Sequence, residues 1–139
     1  MSVIIDNSVA LAWVLPDEKS DSAEAVLEWV IEAGAYVPFI FPAEFSNGLT
    51  MAVRKQRINK AERSIAFDRI TNVLHIIADA EGPSRMNVVI ELADAHELTV
   101  YDALYLELAQ RLRLPLATFG KQLVRAARQT DVSLALPEA

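Results

Sequence analysis

The chain alternates short apolar, β-branched runs with longer segments whose apolar side chains recur at helical spacing. The apolar runs predict strands at residues 2–5, 36–37, 73–78, 116–119 and 132–136. In the segments between them, apolar residues repeat three and four positions apart, as expected of helices with one buried face. Parallel strands joined by helices form crossover units. We therefore predict a three-layer α/β/α domain with a central, mainly parallel sheet of about five strands.

Length and composition are those of one globular domain spanning residues 1–139. An apolar fraction of 53% can fill a core, and a charged fraction of 23% is unlike that of a disordered chain. The sequence has no cysteine, which excludes disulfides and thiolate metal sites and favours a cytoplasmic location. Its longest apolar run, residues 9–15, is far shorter than the roughly 20 residues of a membrane-spanning helix, so we expect no membrane association.

Charge is unevenly distributed along a chain whose net charge is -6. Residues 51–70 carry six basic and two acidic side chains, and residues 108–130 carry five basic and no acidic ones. Such blocks are usual on solvated helix faces. They also suit an enzyme that holds a metal in an acidic pocket with a basic rim for a polyanion.

Three acidic residues occupy positions where α/β sheets bind ligands, near the carboxyl ends of strands. Asp6 follows the first predicted strand, Glu44 lies in the first turn of the helix after the second strand, and Asp102 begins the helix before the fourth. Ser8 is placed to cap the helix that follows Asp6. Each acid also has an ordinary explanation, because carboxylates stabilise the first turn of a helix. Their spacing does not show that they converge.

Four segments, taken in order, resemble the motif regions of PIN-domain nucleases, and most closely those of VapC toxins from bacterial and archaeal toxin–antitoxin pairs. The segments are Asp6-Asn7-Ser8, residues 42–49 (PAEFSNGL), residues 100–105 (VYDALY) and residues 116–123 (LATFGKQL). The first and third are short, but the order and spacing of all four make the match specific. The resemblance spans residues 3–136 and implies a PIN-like fold.

The resemblance implies an endoribonuclease dependent on Mg²⁺ or Mn²⁺. Its metal-binding and catalytic acids would be Asp6, Glu44 and Asp102. Three polar residues match positions that support such a site: Ser8, Asn47 and Thr118. The oxygen-rich residue set suits hard cations, which would activate a water for attack on an RNA phosphodiester.

The family also implies particular partners. These are an RNA substrate, a VapB-like antitoxin whose basic tail enters the acidic pocket, and a second copy of the chain in a homodimer. Within the two basic blocks, three side chains are candidates for contacting substrate phosphates: Arg54, Lys55 and Lys121.

The fourth motif departs from the family pattern, because Gly120 stands where an aspartate is usual. Residues 108–130 contain no acid that could replace it. Two interpretations remain open. One is a nuclease that binds metal more loosely, which magnesium permits because it is often held by one or two carboxylates, waters and substrate phosphates. The other is a catalytically weak or inactive PIN-like binding module.

A receiver-like signalling module is a further α/β alternative. It would need an adjacent acidic pair after the first strand, which Asp6-Asn7 does not provide, and an acceptor aspartate after the third, for which Asp79 is the candidate. The two histidines suit structural roles better than acid–base catalysis. His75 falls in a strand predicted to be buried, and His96 falls near a helix end.

Overall fold

A computed structural model describes residues 1–136, which fold around a parallel sheet of four strands. The strands are β1 (Val3–Ile5), β2 (Ala35–Val37), β3 (Ile76–Ala78) and β4 (Leu116–Ala117). They lie in the order β3-β2-β1-β4, and every neighbouring pair is parallel. The predicted parallel α/β architecture is confirmed.

The last predicted strand, residues 132–136, forms a single bridge rather than a ladder. Leu134 pairs in parallel with Leu116. The Leu116 N–H donates to the Ser133 carbonyl at 2.9 Å, and the Ala135 N–H donates to the Leu116 carbonyl at 2.8 Å. Leu116 is the only residue of β4 that takes part in this pairing within residues 1–136. Within residues 1–136 the sheet therefore has four strands where about five were expected.

Helices connect the strands, as the periodicity predicts. The described residues form seven α-helices: α1 (Asn7–Val14), α2 (Asp21–Ala33), α3 (Phe41–Arg54), α4 (Lys60–Asp68), α5 (Met86–His96), α6 (Val100–Leu112) and α7 (Lys121–Arg128). The 3₁₀ turns Pro16–Glu18 and Gly82–Arg85 lead into α2 and α5, and the π-helical segment Arg69–Val73 continues α4. None of the helices in residues 1–136 has the length and apolar character needed to cross a bilayer.

The core encloses β1 from both sides. Val3, Ile4 and Ile5 are all fully buried. Since alternate residues of a strand point to opposite faces, side chains from other elements must cover both faces. The helices α2 and α6 both contact β1. This arrangement is the predicted layering of helices about a central sheet.

β3, at one edge of the sheet, is more exposed than the sequence predicts. His75, expected in a buried strand, lies just before β3 and is exposed, as are Ile77 and Ala78. An edge strand lacks a neighbour on one side, and a short apolar run does not reveal its place in the sheet. The prediction of burial at His75 was therefore wrong.

A cluster of ion pairs joins the segment after β3 to α6. The Glu107 side chain is only 3% exposed and accepts hydrogen bonds from Arg85 at 3.0 Å and Arg111 at 2.7 Å. Arg111 also donates to both carboxylate oxygens of Asp79, at 3.2 and 2.7 Å. These bonds hold the pKa of Asp79 below its ordinary value. Asp79 thus has a structural partner, which argues against a phosphoacceptor role.

We predict that Arg111→Met lowers the free energy of unfolding by roughly 3 kcal/mol, because it leaves the buried Glu107 carboxylate with a single, partly exposed partner. Urea unfolding monitored by circular dichroism measures the loss.

The matched control is Arg57→Met. Arg57 also pairs with two carboxylates, Asp17 and Glu18, but this cluster lies at the surface. Exposed pairs contribute little, so the control should change stability much less. Equal losses of unfolding free energy in Arg111→Met and Arg57→Met would show that the buried cluster stabilises the fold no more than the exposed one.

Candidate active site

The candidate site lies where β1 and β4 end side by side. Asp6 follows β1 and Thr118 follows β4. The Asp6 N–H donates to the Ala117 carbonyl at 3.2 Å, which continues the sheet pairing by one residue. The Thr118 hydroxyl then donates a short hydrogen bond to Asp6 Oδ2. The parallel register therefore brings together two residues that are far apart in the sequence.

Asp6 is 8% exposed, and hydrogen-bond donors surround its carboxylate. Oδ1 accepts from the Ser8 hydroxyl at 2.5 Å and from the Val9 N–H at 3.2 Å. Asp6 is thus the N-cap of α1, and the expectation that Ser8 would cap this helix was wrong. Ser8 instead orients the Asp6 carboxylate and accepts the Phe119 N–H at 3.1 Å.

Glu44 lies in the first turn of α3, where the sequence predicted it, and is partly buried. Its Oε1 accepts a 2.6 Å hydrogen bond from the hydroxyl of Tyr105. Tyr105 is almost fully buried on α6, one turn after Asp102. Burial and the neighbouring carboxylates raise the Tyr105 pKa far above its ordinary value, so the phenol remains a proton donor. Sequence reasoning missed this contact, although its spacing of three from Asp102 was a usable signal.

Asp102 occupies the first turn of α6. Thr99 caps this helix, and its hydroxyl accepts the Asp102 N–H at 3.0 Å. The Asp102 side chain is partly exposed. In the described chain, no group donates a hydrogen bond to the Asp102 carboxylate, which leaves both of its oxygens available to a ligand.

The electrostatics of these acids indicate that they share one region. All three have raised pKa values, and burial is the largest cause in each case. The negative charge of Asp102 raises the pKa of both Asp6 and Glu44, and that of Asp6 also raises the pKa of Glu44. Hydrogen bonds from Ser8 and Thr118 act in the opposite direction on Asp6. Three separate segments thus bring their carboxylates close enough for the charge of Asp102 to act on both Asp6 and Glu44.

The donor chemistry of this region fits a hard divalent cation. Carboxylate and hydroxyl oxygens are the protein ligands that Mg²⁺ and Mn²⁺ favour. Within residues 1–136, no group of three or more His, Cys, Asp or Glu side chains is arranged to hold a metal ion, so there is no preformed metal cage. Mg²⁺ does not require one, because it keeps several waters and often binds one or two carboxylates. The residues therefore fit an open site.

Gly120, the departure from the fourth motif, begins α7 without a side-chain cap. Its φ of -73° suits any residue, and an added Cβ would come no nearer than 3.4 Å to another atom, Thr118 Oγ1. The Gly120 N–H donates to that same Oγ1 at 2.9 Å. The backbone could therefore carry an aspartate here, and packing does not require the glycine.

The remaining predicted residues lie at different distances from the acids. Asn47 is exposed one turn after Glu44 and lines the same surface hollow. Lys121 is exposed at the first position of α7. Arg54 and Lys55 lie at the far end of α3, about 15 Å along the helix from Glu44 at 1.5 Å per residue. The structure therefore does not bring Arg54 and Lys55 to the carboxylates.

Comparison with known proteins gives consistent results. Ribonuclease VapC3 of Pyrobaculum aerophilum is 25% identical over 123 residues, which cover 88% of this chain and 92% of that protein. The crystal structure of PAE2754 from P. aerophilum has a TM-score of 0.70 at 20% identity and covers 96% of this chain and 83% of that one. VapBC2 from Rickettsia felis, bound to a DNA fragment from its promoter, has a TM-score of 0.66 at 17% identity, with coverage of 96% and 97%.

The family model for the PIN domain matches residues 3–129. This match includes all four motif segments and every strand of the sheet. The solved structures share the fold of the chain. On this match, the protein belongs to the PIN-domain family.

Proposed function

We propose that this protein is a metal-dependent endoribonuclease and the toxin of a toxin–antitoxin pair. The observation that supports the proposal is the electrostatic coupling of three acids near the carboxyl edge of the sheet, where the charge of Asp102 raises the pKa of both Asp6 and Glu44. Likeness to a relative named as a VapC ribonuclease supports the activity.

In the proposed mechanism, the carboxylate oxygens of Asp6, Glu44 and Asp102 would hold Mg²⁺ or Mn²⁺. When bound, the ion would lower the pKa of a water that attacks the phosphodiester and would neutralise charge on phosphate oxygens. Catalysis of this kind depends on ligands that are already oriented.

Three hydroxyl groups orient the acids. Ser8 and Thr118 donate to opposite oxygens of Asp6, which fixes the plane of its carboxylate. Tyr105 donates to one oxygen of Glu44. The second oxygen of Glu44 receives no hydrogen bond from residues 1–136 and would be free to bind a cation.

The proposed partners follow from charge and from the relatives. A toxin with a net charge of -6 and an acidic pocket suits an antitoxin with a basic tail, and the R. felis relative was solved as VapBC2. We place Lys121 against substrate phosphate beside the acids. Arg54 and Lys55 would reach only flanking nucleotides. A homodimer is also part of the proposal.

We predict that the purified protein cleaves structured RNA when Mn²⁺ is added, and that Glu44→Gln or Asp102→Asn slows cleavage more than roughly 100-fold. Loss of an outer-shell partner of a metal site already lowers affinity or activity 10- to 100-fold, and loss of a ligand should do more. Gel electrophoresis of end-labelled RNA over time measures the rate.

The control is Glu91→Gln, which removes an exposed carboxylate from α5, outside the site. It should cleave like the unmodified protein. Cleavage that persists in EDTA, or that survives Glu44→Gln, would contradict the proposal. Retained RNA binding without any cleavage would favour the inactive binding module instead.

A second prediction concerns stability in the absence of metal. An acid with a raised pKa binds its proton more tightly in the folded state, so stability falls as pH rises from the ordinary value through the raised one. Asp102→Asn removes one such acid, whose ordinary pKa is 3.8, and also removes its repulsion of Asp6 and Glu44. In EDTA at neutral pH, this variant should be at least as stable as the parent, with a smaller decline above pH 3.8.

Urea unfolding across a pH series in EDTA measures this effect. Asp79 has a lowered pKa, so the stability that it adds is present above its unfolded-state value and is lost at lower pH. The two contributions therefore fall in different pH windows. Asp94→Asn, at an exposed position of α5, is the control. An Asp102→Asn protein less stable than its parent in EDTA would count against clustered acids.

A third prediction uses the space at Gly120. Gly120→Asp should fit without displacing its neighbours and should tighten Mn²⁺ binding by roughly tenfold, since it restores a carboxylate beside the site. Isothermal titration calorimetry with Mn²⁺ measures the affinity.

Gly120→Asn is the matched control, because it has the same shape and helix-capping ability but no negative charge. Both variants should fold with stability within a few tenths of a kcal/mol of the parent. Equal Mn²⁺ affinities for the two variants would show that this position does not face the metal.

A further inference from the structure

A hollow of about 470 Å³ opens to solvent beside Glu44. It lies between the first turns of α3 and α6, and the other residues that line it are Ile40, Ala43, Asn47 and Tyr101. Its walls combine two aliphatic side chains, an aromatic ring and one amide. The Glu44 carboxylate lines it as well, so anything bound in the hollow would lie next to the proposed reaction centre.

Tyr101 is the most distinctive residue that lines this hollow. It is 61% exposed, although it is a large aromatic residue directly before Asp102 in α6. Within residues 1–136 its hydroxyl has no hydrogen-bond partner. The fold therefore does not use Tyr101 to fill the core or to satisfy a buried polar group. Its backbone is fixed in the first turn of a capped helix, so the exposed ring presents a flat apolar face to a ligand.

We propose that this hollow binds one unpaired base of the RNA substrate, with Tyr101 stacking on the base and Asn47 contacting its polar edge. The inference rests on the proposed ribonuclease function and adds a base-binding site to it. An asparagine amide can both donate and accept hydrogen bonds, as base edges require.

The charge of the hollow favours a base over a phosphate group. The lining contains no basic side chain and includes the Glu44 carboxylate, which repels anions. A nucleobase is uncharged and has a flat apolar face. Stacking on an aromatic side chain contributes about 1–3 kcal/mol per base and tolerates any base. In a chain with net charge -6, stacking supplies affinity that phosphate contacts alone would not.

The position of the hollow also fits single-stranded RNA. Bases can stack on protein side chains only where they are unpaired, as in loops and ends. A base held between α3 and α6 would bring its own phosphodiester groups toward Glu44 and Asp102. Tyr101 would therefore act as a positioning residue for the strand that is cut, without touching the reacting atoms.

The test measures binding in EDTA, where metal-dependent cleavage cannot occur. Fluorescence anisotropy gives the Kd of a short, labelled single-stranded RNA and of the same RNA annealed to its complement. Tyr101→Ala should weaken single-strand binding about tenfold or more, and Tyr101→Phe should keep it. Ala43→Phe, which fills the hollow from the opposite wall, should weaken it too. Duplex binding should not depend on Tyr101.

Phe67→Ala is the matched control. Phe67 is also an exposed aromatic residue, at 41%, but lies on α4 outside the hollow, so its removal should leave the Kd unchanged. Because Tyr101→Ala removes no charge, the salt dependence of binding should stay the same. A loss of single-strand binding that is confined to Tyr101→Ala and Ala43→Phe supports the inference.

Two results would overturn it. One is unchanged single-strand binding by Tyr101→Ala, which would leave a partner protein as the better occupant. The other is the absence of any binding by the unmodified protein. If single-strand binding by Tyr101→Ala is unchanged while Mn²⁺-dependent cleavage persists, only this inference fails and the proposed function stands. Binding that depends on Tyr101 in a protein that does not cleave RNA would support base binding by the hollow and refute the proposed ribonuclease function.

Discussion

The hydrogen bond between Thr118 and Asp6 is the contact on which the site depends. Asp6 is a buried carboxylate between the ends of two neighbouring strands, where an acid without donors would be strongly destabilising. The Thr118 and Ser8 hydroxyls and the Val9 N–H satisfy its two oxygens. The same bonds fix the carboxylate plane and begin α1. The hydrogen bonds that stabilise the buried Asp6 carboxylate also orient it. The fold and the proposed chemistry therefore depend on the same contacts.

Helix α6 connects this site to the rest of the fold. Its first half contributes Asp102 and the Tyr105 hydroxyl that holds Glu44, and its second half contributes Glu107 and Arg111. At one end of the helix, carboxylates repel one another. At the other, ion pairs anchor the helix to the segment after β3. A functional group must be held rigidly to act, and a helix with seven buried residues provides that support.

The sequence predicted what depends on local pattern. Hydrophobic periodicity located the strands and helices, and the position of Asp6 after a strand marked the carboxyl edge of the sheet. Pattern did not reveal that β3 is an edge strand, which exposes His75, nor that Asp6 rather than Ser8 caps α1. The first depends on strand order, whereas the cap is a local contact between Asp6 and the Val9 N–H for which Asp6 and Ser8 were both plausible residues. The convergence of the acids was expected only from the family resemblance, because spacing along a chain carries no information about which segments become neighbours.

The glycine at position 120 bears on how metal and substrate would cooperate under the proposed function. Without a fourth carboxylate, the site repels less and also attracts a cation less strongly. Phosphate oxygens can complete the coordination of Mg²⁺, so RNA held in the hollow beside Tyr101 would supply ligands that the protein lacks. Thermodynamic linkage makes this effect reciprocal. If bound RNA raises the affinity of the protein for the ion, then the bound ion raises the affinity for RNA by the same factor. In such a protein, RNA bound in the hollow would contribute to metal binding, as the aspartate usual at position 120 does in the family pattern.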